Sequence, residues 1–386
     1  MMQSRPVVFS YCATYLPPEM LHVYRQVNGI QRFENHVLTR HRANADQFPF
    51  PRVHELRKPP WRFLRRLFYR AQRRSVPVSR FEIGQMLRLV AQHDGKLAHV
   101  YLGTEASRVL GFIHEVRAAR IVSFHGADLS ASQDATRYQP LWPEADLVLC
   151  RSKSLRDELA ARGCPPEKIR LNYTGVPVSQ QKLERRFPDA NSGPVQLLQV
   201  CRLIEKKGLD VTLRAVAKLR SSGIPARITL AGEGPLRDEL TQLAEQLGIA
   251  EFVTFAGFVK GPALEQLFLA SDIFVHPSRS TASGDREGIP NSLIEAMGAG
   301  LPVISTRHSG IPEAVQDGVS GLLIDCAEVD PLVAAIRRLL ASPDLYAAIS
   351  LHGWKTVHER FSVERCVANL EMLYEEAIAL RCAVPG

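Results

Sequence analysis

The segment VQLLQVCRLIEKKGLDVTLRAVAKLRSSGIPARITLAG, residues 195–232, decides the fold class. It opens with a short apolar run, continues with a helical pattern in LDVTLRAVAKLRS, and returns to an apolar run in ARITLAG. Short apolar runs that alternate with helical segments are typical of βαβ units, in which helices cover both faces of a parallel sheet. The segment therefore predicts an α/β fold.

The same alternation extends in both directions from this segment. Strand patterns follow in EFVTFAG, DIFVHP, LPVIST and GLLID, and they precede it in PVVFSY, NHVLTR, LAHVYL, ARIVSFHG and ADLVLC. A chain of 386 residues is too long for one ordinary core, so two domains are expected. We predict doubly wound, Rossmann-like domains over residues 1–178 and 195–360, joined by a polar linker over 179–194. The helical pattern over 361–386 is amphipathic and by itself allows this segment to cap either domain.

The composition is that of an ordinary globular protein, with 45% hydrophobic and 23% charged residues. The seven cysteines are scattered and never spaced as CxxC, so their pattern suggests neither a disulfide framework nor a zinc site. The first residues lack the pattern of a signal peptide, and no apolar run is long enough to span a membrane. A cytoplasmic location is expected.

The segment DREGIPNSLIEAMGAG, Asp285–Gly300, places two glutamates around a predicted helix start at Pro290. Free backbone N–H groups around Gly288 and Ile289 would favour a phosphate there. Glu295 offers two acceptor oxygens to a ribose diol, and Glu287 offers the same to a second sugar. This arrangement fits a sugar nucleotide, although a glutamate near a helix start is also common capping chemistry.

Two further loops carry candidate ligands for a diphosphate group. Arg202 and Lys207 lie between a predicted strand and a predicted helix, at the sheet edge where open α/β folds bind ligands. The alternative interpretation of Arg202 and Lys207 is that they belong to a solvated charged loop. Gly232 and Gly234 open a second strand–turn–helix, but Arg237 stands where a dinucleotide-binding fingerprint has its third glycine. That substitution argues against a nicotinamide or flavin site.

The C-terminal half resembles glycosyltransferase family 4, the retaining, nucleotide-sugar-dependent enzymes of GT-B fold. The resemblance rests on LLQVCRLIEKKG, ITLAGEGPLRDEL, VTFAGFV, FVHPS, EGIPNSLIEAMGAGLPVIST, GIPEAV and DGVSGLLI, which occur in family order. The phrases SGDREGIPNSLIEAM and STRHSGIPEAV look most like exopolysaccharide glycosyltransferases of the colanic acid and amylovoran type. The resemblance implies two Rossmann-like domains facing a central cleft, with the C-terminal helix crossing back to the first domain.

The resemblance also implies a role for each candidate site residue. It gives catalytic roles to Arg202 and Lys207 at the donor diphosphate, to Glu287 at the donor sugar, and to His125 in IVSFHGADLS. It assigns donor binding to Glu295, Gly232, Gly234, Phe258, Val259, Gly288 and Ile289, and the acceptor side to Gly126 and Asp128. A lone histidine after an apolar strand is otherwise more often a hydrogen-bonded structural residue.

The predicted reaction moves a hexose from a nucleoside diphosphate sugar to a saccharide acceptor, with the anomeric configuration kept. The sequence contains no Asp-x-Asp motif, so we expect no metal and no cofactor besides the donor substrate. Two alternatives remain open. One is a sugar phosphorylase or a sugar-phosphate-synthase-like transferase with a soluble acceptor, and the other is a non-catalytic protein that binds nucleotide sugars.

The net charge of +8 is concentrated in one part of the chain. Residues 51–80 contain ten Lys or Arg and a single acid, Glu55. Within them, Pro59 to Arg74 reads as an amphipathic helix with aromatic residues and arginines, which suits an anionic membrane surface and a lipid-linked acceptor. A core-facing helix with a solvated basic back fits the pattern equally well. Nucleic acid is not expected, because no nucleic-acid-binding motif accompanies the charge.

Overall fold

The structure is a computed structural model that describes residues 5–17, 20–71, 76–129, 135–178, 185, 187–188, 193–281 and 288–383. Its contacts divide the chain into two compact units, Met1–Gly175 with Val363–Gly386, and Val176–Ser362. The predicted linker at 179–194 lies largely outside the described residues.

The first unit is built on a parallel sheet of seven strands in the order β5-β3-β1-β6-β7-β8-β9. A separate pair of two-residue strands, β2 and β4, lies beside its first loop. The chain moves outward from β1 in one direction and from β6 in the other, so the order reverses between β1 and β6. The strands are β1 (Val7–Tyr11), β2 (Thr14–Tyr15), β3 (Glu34–Thr39), β4 (His41–Arg42), β5 (Val53–Glu55), β6 (Leu97–Tyr101), β7 (Ala119–Ser123), β8 (Leu147–Cys150) and β9 (Ile169–Leu171).

Within the described ranges, six α-helices connect these strands. They are α1 (Leu21–Gly29), α2 (Arg62–Ala71), α3 (Arg80–Gln92), α4 (Gly103–Arg108), α5 (Leu110–Glu115) and α6 (Lys153–Ala161). The start of α3 shows why the sequence forms a helix there. The Ser79 hydroxyl accepts a hydrogen bond from the Glu82 N–H, and the Glu82 carboxylate accepts one from the Ser79 N–H. This capping box satisfies two of the otherwise free donors at the helix start.

The second unit contains a six-stranded parallel sheet in the order β12-β11-β10-β13-β14-β15. Its order reverses between β10 and β13, which are neighbours in the sheet. The strands are β10 (Val195–Val200), β11 (Ala226–Ala231), β12 (Val253–Gly257), β13 (Ile273–His276), β14 (Val303–Thr306) and β15 (Leu322–Ile324). The helices are α7 (Leu209–Ser221), α8 (Arg237–Gln246), α9 (Pro262–Ala270), α10 (Asn291–Gly298), α11 (Ile311–Ala314), α12 (Val329–Leu340) and α13 (Pro343–Arg360).

The last helix, α14 (Val363–Ala383), packs on the sheet of the first unit. Its apolar side chains share a core with residues of β1, β6, β7 and β8. Polar contacts also fix it in place. The hydroxyl of Tyr374 lies 2.8 Å from Nδ1 of the buried His99 on β6, and the Glu371 carboxylate accepts the backbone N–H groups of Gln31 and Arg32. In the structure this helix thus belongs to the first unit.

Helix α2 presents large apolar side chains to solvent. Trp61, just before the helix, is 75% exposed, and Phe63 and Phe68 within it are 69% and 59% exposed. The core-facing alternative for this segment is therefore wrong for these residues. The side chains of Arg62, Leu64, Arg65 and Arg66, and all of residues 72–75, lie outside the described part. Within that part, no helix has the length and hydropathy required to cross a membrane.

Candidate functional site

In the second unit, the reversal of strand order brings two loops together at the carboxyl edge of the sheet. Arg202 and Lys207 follow β10, and Gly288 precedes α10 in the connection that follows β13. Because β10 and β13 are neighbours, these loops flank the place where open α/β sheets bind their ligands. Backbone contacts hold the loops against each other, with the Arg279 N–H donating to the Lys206 carbonyl at 3.0 Å.

The turn that carries Lys207 is fixed by a buried polar network. The amide of Gln199 on β10 donates to the Lys207 carbonyl at 2.8 Å, and the Thr212 hydroxyl donates to the Gln199 amide oxygen at 2.7 Å. Gly208 then adopts a left-handed φ of 63° and is the N-cap of α7. A Cβ atom at Gly208 would lie 2.0 Å from the Pro277 carbonyl oxygen, so only glycine permits this approach.

Helix α10 points its N-terminus at the same edge. Pro290 is the N-cap and Asn291 the first helical residue, one residue later than predicted. The Ser292 hydroxyl donates to the Val200 carbonyl at 2.6 Å and ties the first turn to the end of β10. Among the described residues, no side chain caps α7 or α10. Both helices therefore direct their first-turn N–H groups and the positive end of their dipoles to this edge, where an anion is stabilised.

The glycines of the β11–α8 turn have a packing function that the sequence did not reveal. An added Cβ at Gly232 would lie 1.9 Å from the Cys201 carbonyl oxygen, and one at Gly234 would lie 2.4 Å from the Leu203 carbonyl oxygen. The Leu203 N–H also donates to the Glu233 carbonyl at 2.9 Å. These glycines thus let the turn close onto the segment that carries Arg202.

In the first unit, His125 follows β7 and is buried at the carboxyl edge of its sheet. Its backbone N–H donates to the Asp128 carboxylate at 2.8 Å. The other Asp128 oxygen accepts the backbone N–H and the hydroxyl of Thr104, each at 2.9 Å. Burial raises the pKa of Asp128, and these hydrogen bonds oppose the rise. Asp128 therefore joins the loops after β6 and β7 and positions His125.

Arg151, directly after β8, lies beside two histidines. Its Nη1 atom is 3.2 Å from His125 Nδ1 and 3.3 Å from His22 Nε2, and its Nη2 atom bonds the Thr174 hydroxyl. Burial lowers the pKa of Arg151 to about 10, so the guanidinium remains a donor at neutral pH. Both histidine nitrogens must then accept, which places the His125 proton on Nε2.

The electrostatics agree with this assignment. Burial, and after it the charge of Arg151, hold the pKa of His125 well below its usual value. The same two causes lower the pKa of His22. At neutral pH His125 is therefore an uncharged imidazole that carries its proton on Nε2.

Two family profiles match successive parts of this chain. Residues 21–180 match "Glycosyltransferase Family 4", and residues 180–354 match "Glycosyl transferases group 1". The chain belongs to glycosyltransferase family 4.

Curated relatives of this family 4 glycosyltransferase include two proteins named for exopolysaccharide synthesis. The putative colanic acid biosynthesis glycosyltransferase WcaL of Salmonella typhimurium is 36% identical over 55% of this chain and 53% of its own length. The amylovoran biosynthesis glycosyltransferase AmsK of Erwinia amylovora is 35% identical over 62% of this chain and 59% of its own length. The chain thus matches somewhat more than half the length of these relatives.

A solved structure gives the fold of this family 4 glycosyltransferase. The Anabaena protein Alr3699/HepE, crystallised in complex with UDP, superposes with a TM-score of 0.76 over 96% of this chain and 100% of its own. At 18% identity the likeness concerns the fold alone. It confirms the GT-B fold that the sequence predicted.

The structure of the family 4 glycosyltransferase places the predicted site residues on two sheet edges. The second unit carries Arg202, Lys207, Gly232, Gly234, Phe258, Val259, Gly288, Ile289 and Glu295, and the first carries His125, Gly126 and Asp128. Phe258 is 57% exposed, and Glu295 is half-buried on α10. Glu287 lies outside the described residues, so its role stays a prediction.

Sequence reasoning on the family 4 glycosyltransferase missed Arg151, His22 and Thr174. None of them belongs to a pattern in the sequence. Arg151 is an ordinary arginine before the Ser152 N-cap of α6. One signal was available, because Arg151 directly follows a strand at the same sheet edge as His125.

Proposed function

We propose that this chain transfers a hexose from a nucleoside diphosphate sugar to a saccharide acceptor during exopolysaccharide synthesis, and that the anomeric configuration is retained. One observation carries the proposal: Arg202, Lys207 and the starts of α7 and α10 lie at a single switch point in the second sheet. The names of the relatives and the UDP bound to the structural neighbour support it.

The proposed chemistry at that edge is stabilisation of the departing nucleoside diphosphate. Negative charge grows on the phosphate oxygens as the sugar leaves, so Arg202, Lys207 and the helix N-termini bind the transition state more strongly than the ground state. The donors are held in place before the reaction, because Gln199 and Ser292 fix the two loops. Glu295 accepts the hydroxyl groups of the donor ribose.

His125 is proposed to donate a hydrogen bond from Nε2 to an oxygen of the reacting sugar. Its Nδ1 atom accepts from Arg151, so it takes no proton from the acceptor at neutral pH. This assigns a donor role to His125 within the proposed retaining reaction.

We further propose that the acceptor is linked to a lipid and that α2 holds the enzyme at an anionic membrane surface. Trp61, Phe63 and Phe68 are exposed, and the exposed cations Arg57, Lys58 and Arg70 lie in the same stretch. Aromatic side chains enter the headgroup layer, and each cation near it contributes on the order of 1 kcal/mol.

The donor proposal is tested with the purified chain and a panel of UDP, GDP, ADP and dTDP sugars. A donor that binds the folded protein raises the Tm by mass action, so one nucleotide series should do so. Mass spectrometry then detects transfer to lipid-linked saccharides, and NMR determines the anomer formed. An inverted product would contradict retention, and a protein that neither binds nor cleaves any of these donors would contradict the whole proposal.

The membrane proposal is tested by sedimentation with anionic vesicles. Lys58→Glu with Arg70→Glu should reduce the bound fraction several-fold. A matched control, Arg88→Glu with Arg156→Glu, makes the same change in net charge at exposed sites on α3 and α6 of the first unit and should bind like the unaltered chain. Equal loss in both double variants would mean that only net charge matters.

A further inference from the structure

Three histidines far apart in the sequence meet at one side of the first unit. His36 lies on β3, His54 on the edge strand β5, and His93 directly after α3. One ring nitrogen from each can be chosen so that all three lie within 4.8 Å of one another. No step of the proposed transfer reaction uses this cluster, since His125 and Arg151 belong to the loops after β7 and β8.

The distances are close to those of a metal centre. His36 Nδ1 and His54 Nε2 are 2.9 Å apart, and their rings are stacked with an angle of 5° between planes. Two imidazole ligands of a tetrahedral Zn²⁺ have their nitrogens about 3.3 Å apart, because each Zn–N bond is about 2.0 to 2.1 Å long. Small side-chain rotations therefore separate the hydrogen-bonded pair enough to admit an ion.

Glu34 prepares His36 to act as a ligand. Its Oε1 atom lies 2.9 Å from His36 Nε2, which makes Nε2 the protonated nitrogen and leaves a lone pair on Nδ1. A carboxylate that accepts the second N–H of a histidine is the usual outer partner of a metal ligand, where it fixes the tautomer and increases ligand basicity. If His36 and His54 only shared a hydrogen bond, Glu34 would not be required as a further partner.

The surroundings give the cluster an apolar wall and a route of entry. The Phe9 ring lies 5.2 Å from the His36 ring and 6.1 Å from the His93 ring and forms an apolar floor. His36 is buried, whereas His54 is half-buried and His93 is exposed.

We propose that His36, His54 and His93 bind one divalent transition-metal ion of the zinc type. Three imidazoles suit zinc, copper and nickel better than magnesium or calcium, which prefer oxygen ligands. A water molecule completes the coordination. The ion would join the edge strand β5 to β3 and to the end of α3, three elements that are otherwise linked by hydrogen bonds and packing. Its function is to stabilise the edge of this sheet.

Zn²⁺ and Co²⁺ are the probes for the test. The whole chain is stripped with a chelator and titrated with Zn²⁺ against a chromophoric competitor. We expect one equivalent to bind tightly, and Co²⁺ in its place to give the intense visible absorption of a tetrahedral ion. His54→Asn with His93→Asn should weaken binding at least 100-fold, and Glu34→Gln about 10- to 100-fold.

His41→Asn is the matched control, because His41 is an exposed histidine of the same unit outside the cluster. It should leave the affinity, the stoichiometry and the cobalt spectrum unchanged. Circular dichroism checks that every variant is folded. Folded chain that binds no zinc, or that binds it equally after His54→Asn with His93→Asn, would overturn the proposal, as would loss of binding in His41→Asn.

Discussion

Arg151 Nη1 lies 3.2 Å from His125 Nδ1, and this contact determines what the histidine can do. A guanidinium only donates, so Nδ1 accepts and the ring proton stays on Nε2. Arg151 thereby acts as a positioning residue for His125, and its charge also opposes protonation of the ring.

Arg151→Met should change the rate and its pH dependence together. Without the guanidinium the pKa of His125 rises, although burial still opposes the charged form. The pH at which kcat/KM responds to protonation of His125 should therefore rise, and the rate at neutral pH should fall at least about tenfold because Arg151 no longer holds the ring in place. Arg156→Met on the surface of α6 is the control. A slower variant with an unshifted pH profile would mean that Arg151 only supports the fold.

Lys207→Ala should lower turnover by at least about two orders of magnitude with little change in stability. The lysine is proposed to neutralise the leaving diphosphate, and loss of one such donor has an effect of this size. Lys218→Ala, which replaces a surface lysine of α7 that pairs with Asp330, should keep normal turnover. Near-normal rates for Lys207→Ala would remove its assigned role.

Gly208→Ala should weaken both stability and donor binding. The φ of 63° costs an alanine about 1 to 2 kcal/mol, and the Cβ would lie 2.0 Å from the Pro277 carbonyl oxygen. Gly248→Ala separates the two effects, because its φ is 65° and nothing lies within 4 Å of the added atom. Urea unfolding and nucleotide titration measure both. An equal loss of stability and of donor affinity in Gly208→Ala and Gly248→Ala would show that the close approach of Gly208 to Pro277 is unimportant.

Tyr374→Phe should destabilise the first unit by about 1 to 3 kcal/mol. The change leaves the buried His99 without the hydroxyl that lies 2.8 Å from Nδ1. Tyr69→Phe on α2 should have almost no effect, since that side chain is half exposed. Chemical unfolding of both variants gives the comparison, and equal midpoints would contradict a contribution from the Tyr374 hydroxyl.

The stability of the first unit should decrease as the pH is lowered from about 6.5. Burial lowers the pKa of His99 to about 3, whereas an unfolded histidine titrates near 6.5. Between these values the unfolded chain binds more protons, so acid favours unfolding, with a slope of up to about 1.4 kcal/mol per pH unit for each such histidine. Urea midpoints at several pH values test this, and a flat profile from pH 6.5 to 4 would contradict it.

Much of the fold follows from local sequence. VQLLQV and ARITLAG predict β10 and β11 because apolar runs of that length form buried parallel strands, and the structure places them over Val195–Val200 and Ala226–Ala231. The start of α10 was predicted one residue early, since proline suits both the N-cap region and the first turn.

The residues that the sequence did not predict come together only through long-range contacts. Arg151 and His22 are 129 residues apart, and only the strand order of the first sheet brings the loop after β8 next to the first turn of α1. His36, His54 and His93 likewise show no short spacing in the sequence. The basic helix was left with two interpretations, because an amphipathic pattern does not say whether the apolar side meets a core. The exposure of Trp61, Phe63 and Phe68 contradicts the core-facing interpretation for these residues.

The position of α14 has a consequence for biosynthesis. Arg170, at the last strand of the first sheet, pairs with Glu376, which lies 206 residues later. A ribosome must therefore produce the entire second unit before this sheet receives its cover. Until then Val8, Ile121 and Leu149 lie on an exposed apolar face of the sheet. We therefore expect chaperones to bind the nascent first unit at that stage.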